Sequence, residues 1–132
     1  MREPNILVTI ENKNDAQLIS KRMIQTVLHK EAGVTWIKAT QSFLSATLLY
    51  VKEMFQENAS FREVQNFISD SGKSKSFLKN VIHHLDPNHP SYQSFQIMLV
   101  CKETTRSLVL ALSELCVKES ERSKEEQTLV VA

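Results

Sequence analysis

The stretch WIKATQSFLSATLLYVKEMF, residues 36–55, decides the fold of this 132-residue chain. Apolar residues recur along it at steps of three and four, the spacing that places side chains on one face of an α-helix. One stripe consists of Trp36, Ala39, Phe43, Ala46, Leu49 and Tyr50. A second stripe beside it consists of Ile37, Leu44, Leu48, Val51 and Phe55. Because two adjacent stripes make a wide apolar face, we predict a central helix that other helices surround.

The same stretch is apolar enough to suggest a membrane helix. Its uncharged part, residues 39–51, has only thirteen residues, whereas a helix that spans a bilayer needs about 20. Polar residues also interrupt it, at Gln41, Ser42, Ser45 and Thr47. A spanning helix is therefore disfavoured, and a helix lying on a membrane surface stays as the alternative to the core helix.

The composition favours long helices with few connections, because the chain has only 2 glycines and 3 prolines. Its length suits one domain with its own core. We therefore predict an all-α fold over residues 1–132, a compact bundle of five to seven helices around the central helix. A short extended segment, Asn5–Ile10, precedes the first helix in this prediction, and the charged residues 119–132 form a frayed tail.

The segments that flank the central helix supply further signals. Ser60 and Glu63 have the spacing of a capping box at a helix start. The residues DPNHP, 86–90, break the chain after a short fourth helix, and one or two helices follow. Large side chains are expected to form the structural core: Trp36, Phe43, Leu48, Tyr50, Phe95 and Leu108.

The two cysteines, Cys101 and Cys116, each lie within an apolar helical pattern. This pattern favours buried thiols in a reducing compartment, and a disulfide is the alternative. The first residues lack the apolar run of a signal peptide. A cytoplasmic location is therefore expected.

Two motifs suggest chemistry on a first inspection. SGKSKS, residues 71–76, resembles part of a phosphate-binding loop, but Phe67 stands where that loop needs a glycine. His83, His84 and His89 are close in sequence, but adjacent histidines on a helix diverge, which disfavours a shared metal ion. No nucleophile triad or paired carboxylate is evident. We therefore expect a domain that is not an enzyme and holds no metal or cofactor.

A family resemblance adds to this picture. TWIKATQSFLSATLLYV, residues 35–51, resembles the tryptophan–alanine–leucine–tyrosine pattern of the TraG/TraD-type coupling ATPases of conjugative type IV secretion. The matching positions are Trp36, Ala39, Leu44, Ala46, Leu48 and Tyr50. Further along the chain, a similar Tyr-x-x-Phe step and Thr-Arg-Ser turn fall at Tyr92, Phe95, Thr105, Arg106 and Ser107. The resemblance extends over residues 5–118.

The resemblance implies that the chain is the all-α domain inserted in the motor of such a coupling protein. The parent protein would be a hexameric ATPase at the cytoplasmic face of the cell membrane. The domain would receive relaxase or accessory proteins, with or without single-stranded DNA, and pass them to the motor. The isolated domain is expected to be a monomer.

Candidate cargo contacts are the basic residues near the loops that flank the fourth helix: Lys73, Lys75, His83, His84 and His89. A DNA-binding module is one alternative, since Arg62 and Lys79 could join the two lysines in a basic patch. The net charge of +1 argues against it and favours a solvated face. The other alternative is a stand-alone helical scaffold or regulator.

Overall fold

The computed structural model describes the backbone of residues 6–27 and 33–131, and the side chains of these residues except at positions 26, 27, 34 and 123–131. Within this part of the chain there are six α-helices and no strands. The helices are α1 Lys13–Val27, α2 Val34–Phe55, α3 Phe61–Lys73, α4 Lys75–His83, α5 Tyr92–Val100 and α6 Glu103–Val131. The prediction of an all-α bundle of five to seven helices is confirmed.

The prediction of an extended N-terminal segment is wrong for residues 6–10, the part of that segment that the structure describes. Ile6–Thr9 forms one 3₁₀ turn, in which the Thr9 hydroxyl donates to the carbonyl oxygen of Ile6 at 2.6 Å. Leu7 and Ile10 are buried by this turn. A lone β-branched segment has no strand to pair with, so packing against the bundle determines its conformation. Asn5 lies outside the described residues.

Helix α2 is the centre of the bundle and contacts α1, α3, α5 and α6. Every residue from position 43 to position 49 is buried. Seven consecutive residues cover about two full turns, so this segment is enclosed on all sides and has no face left for a membrane surface. Gly33 precedes the helix with φ of 92°, a conformation that favours glycine. In the part of the chain described, no helix combines the length and the apolarity needed to cross a bilayer.

Aromatic side chains from α2, α3, α4 and α5 meet in one cluster. Phe67 lies at the middle of the cluster, with its ring centroid 5.2 Å from those of Phe77 and Phe95 and 5.3 Å from that of Tyr50. Phe43 contacts the same cluster, 6.2 Å from Phe95. Such tilted and edge-to-face pairs add to the free energy gained from burial alone. Burial also raises the pKa of the Tyr50 phenol.

The expected core residues do not all lie in the core. Phe43, Leu48 and Phe95 are buried, while Trp36 and Tyr50 are half-buried against it. Leu108 is 38% exposed and does not belong to the core. The inward stripe of α6 consists instead of Arg106, Val109, Leu110, Ser113, Cys116 and Val117. Helix α6 is therefore rotated by about one residue from the orientation that its leucines suggest.

The C-terminal part of the chain forms two helices rather than one, because Cys101 and Lys102 interrupt them. Helix α6 continues to Val131, and the fraying of residues 119–132 stays a prediction. Cys101 and Cys116 are free thiols, which excludes the disulfide. Burial raises the pKa of the Cys116 thiol to about 11.

Candidate interaction surface

The corner between α3 and α4 places the first candidate residues. Ser74 ends α3 and caps α4, and its hydroxyl oxygen accepts the Ser76 N–H at 3.0 Å. Gly72 lies within the last turn of α3, so SGKSKS forms a helix–helix corner and not a loop that wraps a phosphate. Lys73 and Lys75 project from this corner and are exposed. The nearest carboxylate oxygen of Asp70 is 3.7 Å from the Lys73 ammonium, an exposed pair that contributes little.

The start of α3 differs in detail from the predicted capping box. Ser60 is the N-cap residue of α3, but its side chain accepts no hydrogen bond from the helix backbone. Its hydroxyl donates to the carboxylate of Glu63 instead. The spacing therefore predicted the helix start correctly and the hydrogen-bond pattern wrongly.

The outer face of α4 forms a shallow hollow of about 590 Å³. Ser76, Lys79, Asn80 and His83 line it together with the edge of Phe77. The four polar residues recur at helical spacing, which is why they share one face. Of the described residues that line this hollow, Lys79 alone is permanently charged, and His83 is the other ionisable one.

A second hollow of about 390 Å³ lies between α4 and α5. Its apolar wall is made by Ile82, Leu85, Pro87, Tyr92 and Leu99. Lys79 and His83 line both hollows, so the two form one continuous surface, which we call the α4 surface. It combines an apolar groove with a basic rim, and none of the carboxylates that the structure describes lines either part of it.

The loop after α4 is held by local hydrogen bonds. A carboxylate oxygen of Asp86 accepts the Asn88 N–H at 2.8 Å, and the Asp86 carbonyl oxygen accepts the His89 N–H at 2.8 Å. The ring of His84 is bound through Nδ1 to the Asn80 carbonyl oxygen at 2.9 Å. These bonds give the groove a fixed wall at Leu85 and Pro87, because the loop that carries them is anchored at several points.

His89 has a structural role. Its Nδ1 accepts the Ser91 N–H at 3.0 Å, so the ring hydrogen lies on Nε2, which donates to the carboxylate of Glu53 in the last turn of α2. Next to it, the buried Ser91 hydroxyl donates to the Ala46 carbonyl oxygen at 2.8 Å. Both bonds attach the loop to α2, and His89 does not line the α4 surface.

The candidate contacts therefore separate into three groups. His83 and His84 lie together at the end of α4, with ring centroids 5.3 Å apart. Lys73 and Lys75 lie at the other end, at the α3–α4 corner. His89 belongs to the anchored loop. Among the side chains described, no three histidine, cysteine or acidic residues lie close enough to hold a metal ion.

The basic patch expected for DNA does not form as a unit. Arg62 and Lys73 are at opposite ends of α3, which separates their backbones by about 16 Å along the helix axis. Arg62 is therefore not part of a patch with Lys73 and Lys75. The remaining lysines lie at the corner and on α4, beside hydroxyl and amide groups.

Sequence reasoning missed the groove itself. Tyr92 and Leu99 belong to α5 and line the groove beside α4. Their spacing of seven residues places them on one face of α5, but only the packing of α4 on α5 shows what that face borders. Lys79 could be recognised only as a surface charge.

No protein-family model, curated protein or solved structure matches this chain.

Proposed function

We propose that this chain is the cargo-recognition domain of a conjugative type IV secretion coupling protein. In this proposal it receives a relaxase or an accessory protein at the α4 surface and presents it to the motor of the parent protein. The identity of the parent rests on the ordered sequence resemblance over residues 5–118. Cargo binding rests on one observation, the apolar groove with a basic rim that no described carboxylate lines.

The chemistry of the α4 surface favours a protein segment as its ligand. The exposed parts of Ile82, Leu85, Tyr92 and Leu99 can bury apolar side chains, which supplies affinity. Lys79 and His83 at the rim favour an acidic residue next to those side chains and so supply specificity. A short amphipathic segment with an acidic flank has both properties.

The fold supports such a role because the groove stands on rigid elements. Helices α4 and α5 contact each other directly, and the loop between them is attached to α2 through Ser91. Residues of the resembling pattern, such as Leu48 and Phe95, are buried in the core of the bundle. A site on a rigid scaffold keeps its shape without a bound partner, which lowers the entropic cost of binding.

Binding to the relaxase encoded by the same mobile element tests the cargo role. We expect the Lys79→Glu/His83→Glu double variant to bind about tenfold or more weakly than the wild type in biolayer interferometry, because both changes place negative charge at the rim. Lys21→Glu is the matched control, since Lys21 is exposed on α1 and lines neither hollow. Equal binding by all three proteins would exclude the α4 surface as the cargo site.

The reading frame that flanks this segment tests whether the parent protein is a coupling ATPase. A phosphate-binding loop upstream and an acidic magnesium-binding motif downstream are expected for a coupling ATPase. A frame without them would exclude the coupling-protein assignment and favour the stand-alone scaffold.

A titration with single-stranded DNA separates protein cargo from direct DNA binding. Contacts between the lysines and phosphates predict binding at low salt that weakens as salt increases. Absence of binding at low salt would remove the DNA-binding alternative.

A further inference from the structure

A second concave surface lies on the other side of α5 and shares no residue with the α4 surface. It is a cleft of about 470 Å³ between α1, α2 and α5, within the size range of ligand sites. We call it the α1–α2–α5 cleft. Gln93, Ser94 and Ile97 of α5 form one wall, and Lys13 and Gln17 of α1 form the other.

The cleft is elongated. On α2 its lining extends from Lys38 to Leu49, a distance of about 16 Å along the helix axis. Helices α1 and α2 pack along each other and follow one another closely in sequence, which makes them antiparallel neighbours. Lys13 opens α1 and Lys38 lies in the second turn of α2, so the two lysines are at opposite ends of the cleft.

The charge of the cleft has one sign. Among the residues that the structure describes, Lys13 and Lys38 are the only charged ones that line the cleft, and no described aspartate or glutamate lines it. Both lysines are exposed, and within the described residues neither forms an ion pair. A concave surface with positive charge at each end and none of the opposite sign attracts an anionic ligand with charge at both ends.

The walls between the lysines carry groups that suit a peptide backbone. Gln17, Gln41 and Gln93 project from three different helices, and each amide can donate and accept. The hydroxyls of Ser42 and Ser94 lie 2.8 Å apart and join α2 to α5 within the cleft. Ile97 adds apolar surface and is 54% exposed.

We infer that the α1–α2–α5 cleft binds an acidic peptide segment in an extended conformation. Two carboxylates four residues apart in an extended chain are about 13 Å apart, which fits within the length of the cleft. The glutamine amides would pair with the peptide N–H and C=O groups, and an apolar side chain between the two acids would lie on Ile97. This inference does not depend on the proposed function, because the two surfaces have no residue in common.

A fluorescein-labelled pentapeptide with glutamate at both ends and leucine in the middle is the probe. Fluorescence anisotropy with the full chain should show saturable binding, and a matched peptide with glutamine at both ends should bind about tenfold or more weakly. The Lys13→Gln/Lys38→Gln double variant should lose binding to the same extent. Lys79→Gln, which changes the α4 surface alone, should bind the probe as the wild type does.

The position of the bound peptide is checked by amide chemical shifts in NMR spectra. Shifts at Gln41, Gln93, Ser94 and Ile97 are expected. Unchanged peptide binding by the Lys13→Gln/Lys38→Gln variant would overturn the inference. Amide chemical-shift changes confined to α4 would overturn it as well. Equal competition by a short oligothymidine would also overturn it, because it would show a general anion site without preference for peptide.

Discussion

Helices α2 and α6 are the two longest helices of the chain, with 22 and 29 residues, and they are buried in different ways. Helix α2 is enclosed on all sides over residues 43–49, whereas the described side chains of α6 are buried along one stripe and leave Leu108 and Leu115 exposed. Both sequences contain leucines at helical spacing. The difference shows that the width of the apolar face, and not the number of leucines, determines whether a helix lies inside a bundle.

The largest effect should come from introducing a charge into α2. Leu48 has no exposed surface, so Leu48→Asp removes apolar packing and buries a carboxylate without a partner, at a cost above about 4 kcal/mol. We expect this variant to be unfolded in circular dichroism at room temperature. Leu108→Asp, at an exposed position of α6, should change the free energy of unfolding by less than about 1 kcal/mol.

The pair of variants can contradict the comparison in two ways. A Leu48→Asp protein that melts within a couple of degrees of the wild type would show that α2 is not the core helix. A Leu108→Asp protein that fails to fold would show that Leu108 faces inward and that α6 has the orientation expected from its leucines.

The burial of α2 could be predicted because the signal is local. Its two stripes lie within one continuous stretch, and neighbouring helices cover them except at the end of the second stripe, where Phe55 is 45% exposed. The corner at Ser74 is local in the same sense, since the cap hydroxyl and the Ser76 N–H that donates to it are two residues apart. Such features need no knowledge of the rest of the fold.

The orientation of α6 and the candidate sites could not be predicted in this way. Val109 and Leu108 are equally apolar neighbours, and contacts with α1, α2 and α3 determine which one is buried. His89 forms its ring contact with Glu53, 36 residues away in sequence. The groove likewise depends on how α4 packs against α5, a contact that no motif in either helix specifies.

The inward stripe of α6 can be tested through its cysteine. Cys116 is fully buried, and with a pKa of about 11 only about one thiol in a thousand is ionised at pH 8. Cys101 is partly exposed. We expect iodoacetamide to alkylate Cys101 at least about tenfold faster than Cys116 in the folded protein, as followed by mass spectrometry, and at similar rates in denaturant.

The raised pKa of Cys116 also predicts a pH dependence of stability. Below about pH 8 the thiol is protonated in both the folded and the unfolded chain, so it contributes almost no slope. As the pH rises from about 9 to about 11, the unfolded chain ionises first and the free energy of unfolding falls. The free energy of unfolding of the wild type and of Cys116→Ala, measured by chemical denaturation across this pH range, checks the prediction. Other ionisable groups titrate in both proteins, so the difference between the two slopes reports on Cys116. Identical slopes would show that Cys116 is not buried in the folded chain.

The smallest effects concern one buried hydroxyl on each of the two helices. Within the described residues, Thr40 Oγ1 on α2 and Ser113 Oγ on α6 are buried without a hydrogen-bond partner. Removing an unpaired buried hydroxyl while keeping the shape costs nothing or stabilises. We expect Thr40→Val and Ser113→Ala each to leave the free energy of unfolding unchanged or to raise it by up to about 1 kcal/mol, with Ser113→Ala gaining more from helix propensity.

Thr47 supplies the control for these two substitutions, because its hydroxyl is buried on α2 but donates to the Phe43 carbonyl oxygen at 2.8 Å. Thr47→Val removes that bond and should lower the free energy of unfolding by about 1 kcal/mol. If Thr40→Val and Thr47→Val are equally destabilising in urea titrations, the Thr40 hydroxyl has a partner in solution. The buried part of α2 would then contain a further paired hydroxyl beside that of Thr47.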